Sequence, residues 1–268
     1  RLPAAYCGVV GYKPTTGLLS NVGIEPLCGW LDQIGPLARS VADIRILMEV
    51  LCDRPAGALT TELGELRFGR LVEFDEVELS DDVRRAFENA VYRLHQADVE
   101  FQDVSIEGLQ PDRLRRAGLL LAEAEAAEHF AEDRVRFSSA FSDSFTAMLD
   151  YGAGASSEKL DEAENLLEHV RKKFNALFAN VDLLIAPTAP QTAFSFDDEA
   201  PATQADLTAL ANIAGAPAIS LPILSADLPV GLQIIGRCGA DALVLRAAEL
   251  MEHDLNFKGQ PLNLEEMA

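Results

Sequence analysis

Apolar residues recur along the chain with two alternating periods, one typical of helices and one typical of strands. Residues 66–74 predict a strand, residues 80–94 predict a helix with Ser80 as its N-cap, and residues 99–106 predict a second strand. A strand, a helix and a strand in this order form the unit of a parallel sheet. The pattern therefore favours an α/β fold with a mixed, mainly parallel β-sheet flanked by helices.

Further helices precede and follow this unit. Residues 40–43 resemble a helix capping box, and the apolar positions after it predict a helix that ends by Pro55. Residues 112–148 and 157–179 predict two helices, of which the first can itself be broken. Between them, residues 150–154 contain two glycines, which interrupt the helical period.

The last third of the chain returns to strands. Residues 183–186 predict a buried strand, and residues 187–206 predict a long loop rich in proline, threonine and acidic residues. Residues 218–222 and 230–235 predict two short strands on either side of a turn, and residues 240–251 predict a closing helix. We find no internal repeat and no low-complexity linker, so no domain boundary is visible.

Composition and charge narrow the possible partners. The chain has 268 residues, is 49% hydrophobic and carries a formal net charge of -21, with a pI near 4.5. A nucleic-acid partner is not expected, because binding to phosphates needs clustered cations. No apolar run approaches the roughly 20 residues that span a bilayer, so no membrane partner is expected either. We therefore expect a cytoplasmic protein.

The cysteines and histidines do not favour a metal site. The cysteines are scattered, without a Cys-x-x-Cys pair, and three histidines follow a glutamate without a second histidine four positions on. These residues are Cys7, Cys28, Cys52, Cys238, His129, His169 and His253. We expect no metal and no cofactor, and we expect the three histidines to lie on solvated helix faces.

Four segments carry a more specific signal. Residues 1–15 read RLPAAYCGVVGYKPT, residues 31–43 read LDQIGPLARSVAD, and residues 181–190 read VDLLIAPTAP. The fourth segment, residues 212–236, ends with PVGLQIIG. In this order and at these distances, the segments resemble those of the amidase signature family. The resemblance implies the amidase signature fold, with residues 1–268 as the C-terminal portion of a single domain that is incomplete at its N-terminus.

The resemblance also implies a reaction. Amidase signature enzymes hydrolyse a carboxamide through an acyl-enzyme, using a serine nucleophile, a second serine on a cis peptide and a lysine base. Arg1 matches the arginine of the family's Gly-Gly-Ser-x-Arg segment, which places the nucleophile two positions before Arg1. Lys13 matches a different lysine and is assigned no catalysis. The triad is thus expected upstream of Arg1, so the intact protein should be an amidase and this chain alone should be inactive.

Five residues are candidates for binding substrate or bracing the site. Arg1 can meet an acidic substrate group or form a salt bridge, with Asp32 as a candidate partner. Cys28 and Trp30 can line the acyl pocket, although Trp30 can equally belong to the core. Thr188 follows a strand end, where α/β proteins tend to bind ligands, but a turn that ends the strand also explains it.

Buried amides need hydrogen-bond partners, so Asn212 and Gln233 are expected to bind backbone groups. The expected partners of the protein are a small-molecule amide substrate and either a second copy, in a homodimer, or the N-terminal part of the domain. Two other interpretations stay open. One is a non-catalytic binding or complementing subunit with the same fold, and the other is an unrelated hydrolase with paired acids or a histidine-bound metal.

Overall fold

Seven strands form one mixed sheet in the computed structural model, which describes residues 1–52, 59–223, 225 and 227–254. The strands are β1 (Val10–Lys13), β2 (Leu37–Ala38), β3 (Arg67–Leu71), β4 (Glu100–Val104), β5 (Leu183–Pro187), β6 (Ala218–Ile223) and β7 (Val230–Gly236). Across the sheet the order is β2-β1-β6-β7-β5-β3-β4. The strands β5, β6 and β7 are buried along their whole length, so they form the centre of the fold.

Helices cover both faces of the sheet. Those in the described residues are α1 (Leu2–Cys7), α2 (Val41–Cys52), α3 (Asp81–Gln96), α4 (Pro111–His129), α5 (Ala131–Arg136), α6 (Asp143–Ala153), α7 (Ser157–Phe174), α8 (Ala209–Ile213) and α9 (Asp241–Asp254). Within this part of the chain, no helix is both long enough and apolar enough to cross a membrane.

The alternation of side chains along the central strands explains the layers. In β5, Leu183 and Ile185 pack into a core with α2, α3 and α9, whereas Leu184 and Ala186 pack into a second core with α4, α7 and α8. Successive side chains of a strand point to opposite faces, so an apolar run buries both faces at once. The sheet therefore lies between two helical layers, each with its own core.

The predicted mixed α/β class is confirmed, but the expectation of a mainly parallel sheet needs correction. β3 pairs in parallel with β4 and β5, whereas the other four strand pairs are antiparallel. The predicted strand, helix and strand unit is β3-α3-β4. The short connection between β6 and β7 allows only an antiparallel pair, because parallel neighbours need a crossover of a dozen residues or more.

The helical third of the chain differs from the prediction in one place. Residues 112–148 are broken into α4, α5 and α6. The predicted interruption at residues 150–154 is confirmed, since α6 ends at Ala153 with Gly154 as its C-cap, but the helix continues through Gly152. A β-carbon at position 152 would lie 2.1 Å from the carbonyl oxygen of Glu123 in α4. Gly152 is therefore a point of close helix packing.

Four short elements, α1, β1, β2 and α8, were not predicted, because each spans six residues or fewer and shows no full period. The strand predicted over residues 66–74 is shorter, since a 3-10 helix replaces its end at residues 72–76. The predicted helix end at Pro55 lies outside the described residues.

Replacing Gly152 with alanine should destabilise the protein, because the new methyl group would force α4 and α6 apart. We expect a loss of about 1–3 kcal/mol in the free energy of unfolding, measured by urea denaturation. Gly118 in α4 is the matched control, since a β-carbon there would meet its nearest neighbour at an ordinary 3.5 Å. Gly118→Ala should be neutral or stabilising by up to about 1 kcal/mol, and equal effects of the two substitutions would contradict the packing role.

Candidate functional site

The candidate site begins where α1 crosses β7. Ala5 of α1 is buried on the sheet, and a β-carbon at position 231 of β7 would lie 2.7 Å from its methyl group. The same β-carbon would lie 2.6 Å from the hydroxyl of Ser220 and 2.8 Å from that of Thr188. Only glycine fits at position 231, and this close approach brings the start of α1 over the middle of β7.

Arg1, the N-cap residue of α1, binds three oxygen atoms across this junction. Its guanidinium donates to the side-chain carbonyl of Gln233 in β7 and to that of Asn212 in α8. It also donates to the backbone oxygen of Thr208 at 3.0 Å. Arg1 therefore ties the first helix to both a central strand and α8.

The two amides that accept from Arg1 are fixed by second hydrogen bonds. Gln233 donates to the backbone oxygen of Leu207 at 2.9 Å, and Asn212 donates to that of Leu31 at 3.1 Å. The prediction that both amides bind backbone groups is confirmed. Because each amide is held at both ends, its oxygen is pre-oriented toward the guanidinium.

Arg1 has neutral partners. In the described part of the chain, Arg1 forms no ion pair with a carboxylate. Burial without a neutralising charge disfavours the charged guanidinium and lowers the pKa of Arg1 to about 9. The site thus contains an uncompensated positive charge that is held only by carbonyl dipoles.

Thr188 lies at the end of β5 and is fully buried. Its backbone N–H donates to Gly231 at 2.8 Å, and its hydroxyl is 2.7 Å from that of Ser220 in β6. The threonine thus joins the three central strands β5, β7 and β6. Sequence reasoning placed Thr188 at a strand end but gave no sign of its pairing with Ser220, which is 32 residues away.

The other sequence-predicted candidates share one loop. Asp32 accepts from the backbone N–H groups of Leu27 and Cys28 at 2.7 and 2.9 Å, so its carboxylate closes the loop. The candidate salt bridge between Arg1 and Asp32 is absent from the described ion pairs, since the Arg1 guanidinium donates to Gln233, Asn212 and the Thr208 carbonyl instead. Asn212 brings this loop and Arg1 together through its bond to Leu31.

Cys28 and Trp30 differ in burial: the thiol is fully buried, whereas the indole is partly buried. The Cys28 thiol is buried, and burial raises its pKa to about 11, so it is protonated at neutral pH. Trp30 is half-buried against the core below α4 and α7, where the Arg171 guanidinium lies 5.1 Å from its ring centre. Of the two alternatives for Trp30, the packing favours the core.

Similarity to known proteins identifies the fold around this junction. The family model described as Amidase matches residues 1–245. The chain belongs to the amidase signature family. A glutamyl-tRNA(Gln) amidotransferase subunit of Shouchella clausii is 32% identical over 98% of this chain and 63% of its own length. The corresponding subunit of Thermotoga maritima is also 32% identical, over 98% of this chain and 62% of its own length.

Solved structures agree with this assignment. A crystal structure of an amidase matches with a TM-score of 0.86 at 28% identity, over 95% of this chain and 60% of that protein. The crystal structure of the Thermotoga maritima amidotransferase subunit matches with a TM-score of 0.73 at 30% identity, over 93% and 59%. The chain thus spans about three fifths of the length of the amidase family members it matches.

A second polar cluster, not predicted from the sequence, lies at the start of α9. Asp241, the first residue of α9, accepts from the Tyr12 hydroxyl at 2.6 Å and from the Thr15 backbone N–H at 2.9 Å. The nearby Lys13 is buried and donates to the backbone oxygen of Pro14 at 2.8 Å. Burial, followed by the charge of Arg1, lowers the pKa of Lys13 to about 7, although Asp241 opposes this.

The remaining sequence expectations concern metals and histidines. His129, His169 and His253 are exposed, as predicted. Within the residues that the structure describes, no group of three or more histidines, cysteines and acids could hold a metal ion. One buried ion pair escaped sequence reasoning: Arg115 of α4 binds Asp206, ahead of α8, at 2.5 Å. These two residues are 91 positions apart, so no local pattern could reveal them.

Removing the acceptor of Arg1 should cost more stability than removing an ordinary surface amide. We expect Gln233→Leu to lower the free energy of unfolding by about 2–4 kcal/mol, because it leaves a buried donor without its partner. Urea denaturation measures this, with Gln102→Leu on the exposed strand β4 as the matched control. In an Arg1→Met background the cost of Gln233→Leu should fall by at least about 1 kcal/mol. Additive effects would disprove the coupling.

Lys13 should make stability depend on pH. Its folded pKa, about 7, lies below its ordinary value of 10.5, so the unfolded chain binds more protons in this window and stability rises with pH. From pH 7 to 9 we expect a gain on the order of 2 kcal/mol. Above pH 9 the raised pKa of Cys28 has the opposite sign, so the comparison stops there. Lys13→Met should flatten the profile in thermal or urea unfolding, and an unchanged slope would disprove the assignment.

Proposed function

We propose that this chain forms the C-terminal portion of an amidase signature domain whose intact form hydrolyses a carboxamide to a carboxylate and ammonia or an amine. The observation that carries the proposal is the family match over residues 1–245. The chain spans about three fifths of the length of its relatives, so the proposal concerns the intact domain. In this proposal the serine nucleophile, the cis serine and the lysine base belong to the upstream portion, and the chain alone is inactive.

In the proposed enzyme, Arg1 braces the segment that carries the nucleophile. A neutral hydroxyl needs a positioned base to take its proton, and oriented backbone donors to stabilise the oxyanion that its attack creates. Both requirements depend on the exact path of the chain before α1. The bonds from Arg1 to Gln233, Asn212 and the Thr208 carbonyl fix that path on two sides, which supports bracing over direct substrate contact.

Residues of the neighbouring loop and strand end form the wall of the proposed pocket. Asp32 holds the loop in shape, and Cys28 offers a protonated, buried thiol that suits an apolar wall. Thr188 keeps the ends of the central strands in register. We assign Trp30 to the support of this wall, since it packs on the core beneath it.

The charge of the chain favours a neutral small amide over a polyanionic substrate. A surface cavity of about 420 Å³ includes Gln191, which binds the Tyr6 hydroxyl of α1, but it is lined by none of the residues of the proposed pocket wall. Four carboxylates also line the cavity: Glu76, Glu78, Asp112 and Asp206. With a net charge of -21, such a surface disfavours polyanions. We therefore propose a small-molecule amide as substrate and no nucleic-acid contact by this chain, although its relatives include glutamyl-tRNA(Gln) amidotransferase subunits.

The proposal predicts activity only when the upstream portion is present. The chain purified alone should release no ammonia from propionamide or benzamide above the protein-free rate. The same chain, produced together with the polypeptide encoded directly upstream, should release ammonia in a coupled dehydrogenase assay. A fluorophosphonate probe, which reacts with activated serines, should label the upstream polypeptide and leave this chain unlabelled.

Three results would count against the proposal. Turnover by the chain alone, or a probe adduct on one of its own serines, would place the nucleophile within the chain. A start codon directly before the Arg1 codon, with no catalytic segment encoded ahead of it, would favour the non-catalytic complementing subunit. Arg1→Met should lower kcat/KM at least tenfold, and the exposed Arg113→Met should not; equal effects would disprove the bracing role.

A further inference from the structure

Strands β3 and β5 end side by side. They run in parallel, and the register that pairs Gly69 with Leu184 brings their last residues, Leu71 and Pro187, to the same end of the sheet. From these ends the chain continues toward opposite faces. It leads from β3 to α3, which packs into the core with Ile185, and from β5 to α8, which packs into the core on the other face. In α/β sheets, ligands bind in the crevice between the carboxyl ends of strands whose connections diverge in this way.

A cavity of about 500 Å³ lies at this crevice. The ends of β3 and β5, the segment after β3 and helix α3 all contribute to its walls. The apolar lining residues are Leu71, Phe74, Val77, Leu79, Phe87, Val91, Ile185, Ala186 and Pro187. Small-molecule sites typically measure about 300–1,000 Å³ and are lined mainly by apolar and aromatic side chains. The cavity therefore has both the place and the lining of a ligand site.

The charged side chains of the lining balance one another, although the whole chain carries a net charge of -21. Arg70 forms an ion pair with Asp75 at 3.4 Å. Arg84 of α3 donates to the backbone oxygen of Leu79 at 3.2 Å and, within the described residues, forms no ion pair. A guanidinium can bind a carboxylate through two parallel hydrogen bonds. Arg84 is therefore the cation of this cavity that is open to an anionic ligand.

Rings are the second feature of the lining. Phe74 lies on one side, and α3 contributes Phe87, Tyr92 and His95. The last three residues are spaced so that they follow one side of the helix together with Arg84. Aromatic rings associate through offset stacking or edge-to-face contacts, which add to the gain from burying apolar area. A ligand with a flat aromatic body suits these walls, and a carboxylate on that body suits Arg84.

We propose that the crevice at the ends of β3 and β5 is a binding site for a small aromatic carboxylate, with its ring among the apolar walls and its carboxylate on Arg84. The inference goes beyond the proposed function, because the proposed reaction does not use this cavity. Among the residues that line it are neither Arg1 and its acceptors nor the proposed pocket wall. The site therefore stands whether or not the intact protein hydrolyses amides.

The test compares three probes that share one ring system and differ in charge. The purified chain is titrated in a calorimeter with naphthylacetate, naphthylacetamide and naphthylethylammonium. Naphthylacetate should bind to a single site, at least tenfold more tightly than the neutral amide, and the ammonium should bind most weakly. Glu88→Gln should tighten the binding of naphthylacetate, because Glu88 lines the same cavity and repels the carboxylate.

Two further variants locate the site. Arg84→Met should weaken binding of naphthylacetate at least tenfold. Arg85→Met is the matched control, since Arg85 is exposed on the same helix, removes the same charge when replaced and is not among the residues that line the cavity. Val91→Phe should abolish binding by filling the cavity. The unfolding temperature of each variant is measured alongside, and the comparison of the three probes on the parent chain needs no variant at all.

Four results would overturn the inference. Equal affinity for the three probes would refute a carboxylate site, and undiminished binding by Arg84→Met or Val91→Phe would place the ligand elsewhere. Equal losses in Arg84→Met and Arg85→Met would show an effect of net charge alone. If naphthylacetate no longer binds when the chain is produced with the polypeptide encoded upstream, a protein segment fills the crevice in the assembled protein.

Discussion

The close contact between α1 and β7 at Gly231 is the constraint on which the candidate site depends. Because position 231 has no room for a side chain, the helix lies directly on the strand, and Arg1 lies over Gln233. The guanidinium then donates hydrogen bonds to three neutral oxygen atoms, which belong to the side chains of Asn212 and Gln233 and to the Thr208 carbonyl. A larger residue at 231 would lift α1 and separate Arg1 from all three acceptors at once.

The sequence predicted the long, periodic elements well and the short ones poorly. The central strands and α2, α3, α7 and α9 carry enough apolar repeats for their period to be seen, whereas α1, β1 and α8 are too short to show one. Gly152 illustrates the opposite error. Glycine weakens an isolated helix, but close packing of α6 on α4 keeps Gly152 within the helix, and the predicted break occurs two residues later, at Gly154.

The sequence predicted which residues form the candidate site, but only part of how they are bonded to one another. Arg1, Asp32 and Thr188 were singled out by resemblance, yet the expected pairing of Arg1 with Asp32 does not occur. Its actual partners, Asn212 and Gln233, are more than 200 positions away, a distance that no pattern in a single sequence encodes. Sequence reasoning favoured a carboxylate for a buried guanidinium, whereas the fold supplies amide dipoles.

Neutral partners suit the role that we propose for Arg1, which is to fix the backbone of the segment that carries the nucleophile. In the proposed enzyme, a carboxylate next to the nucleophile would oppose the negative charge that develops on the carbonyl oxygen during attack. Amide oxygens hold the guanidinium without adding a negative charge, so the positive field of Arg1 remains. Burial, and after it the charge of Arg1, lowers the pKa of Lys13. The junction of α1 and β7 thereby links the position of Arg1 to the protonation of Lys13.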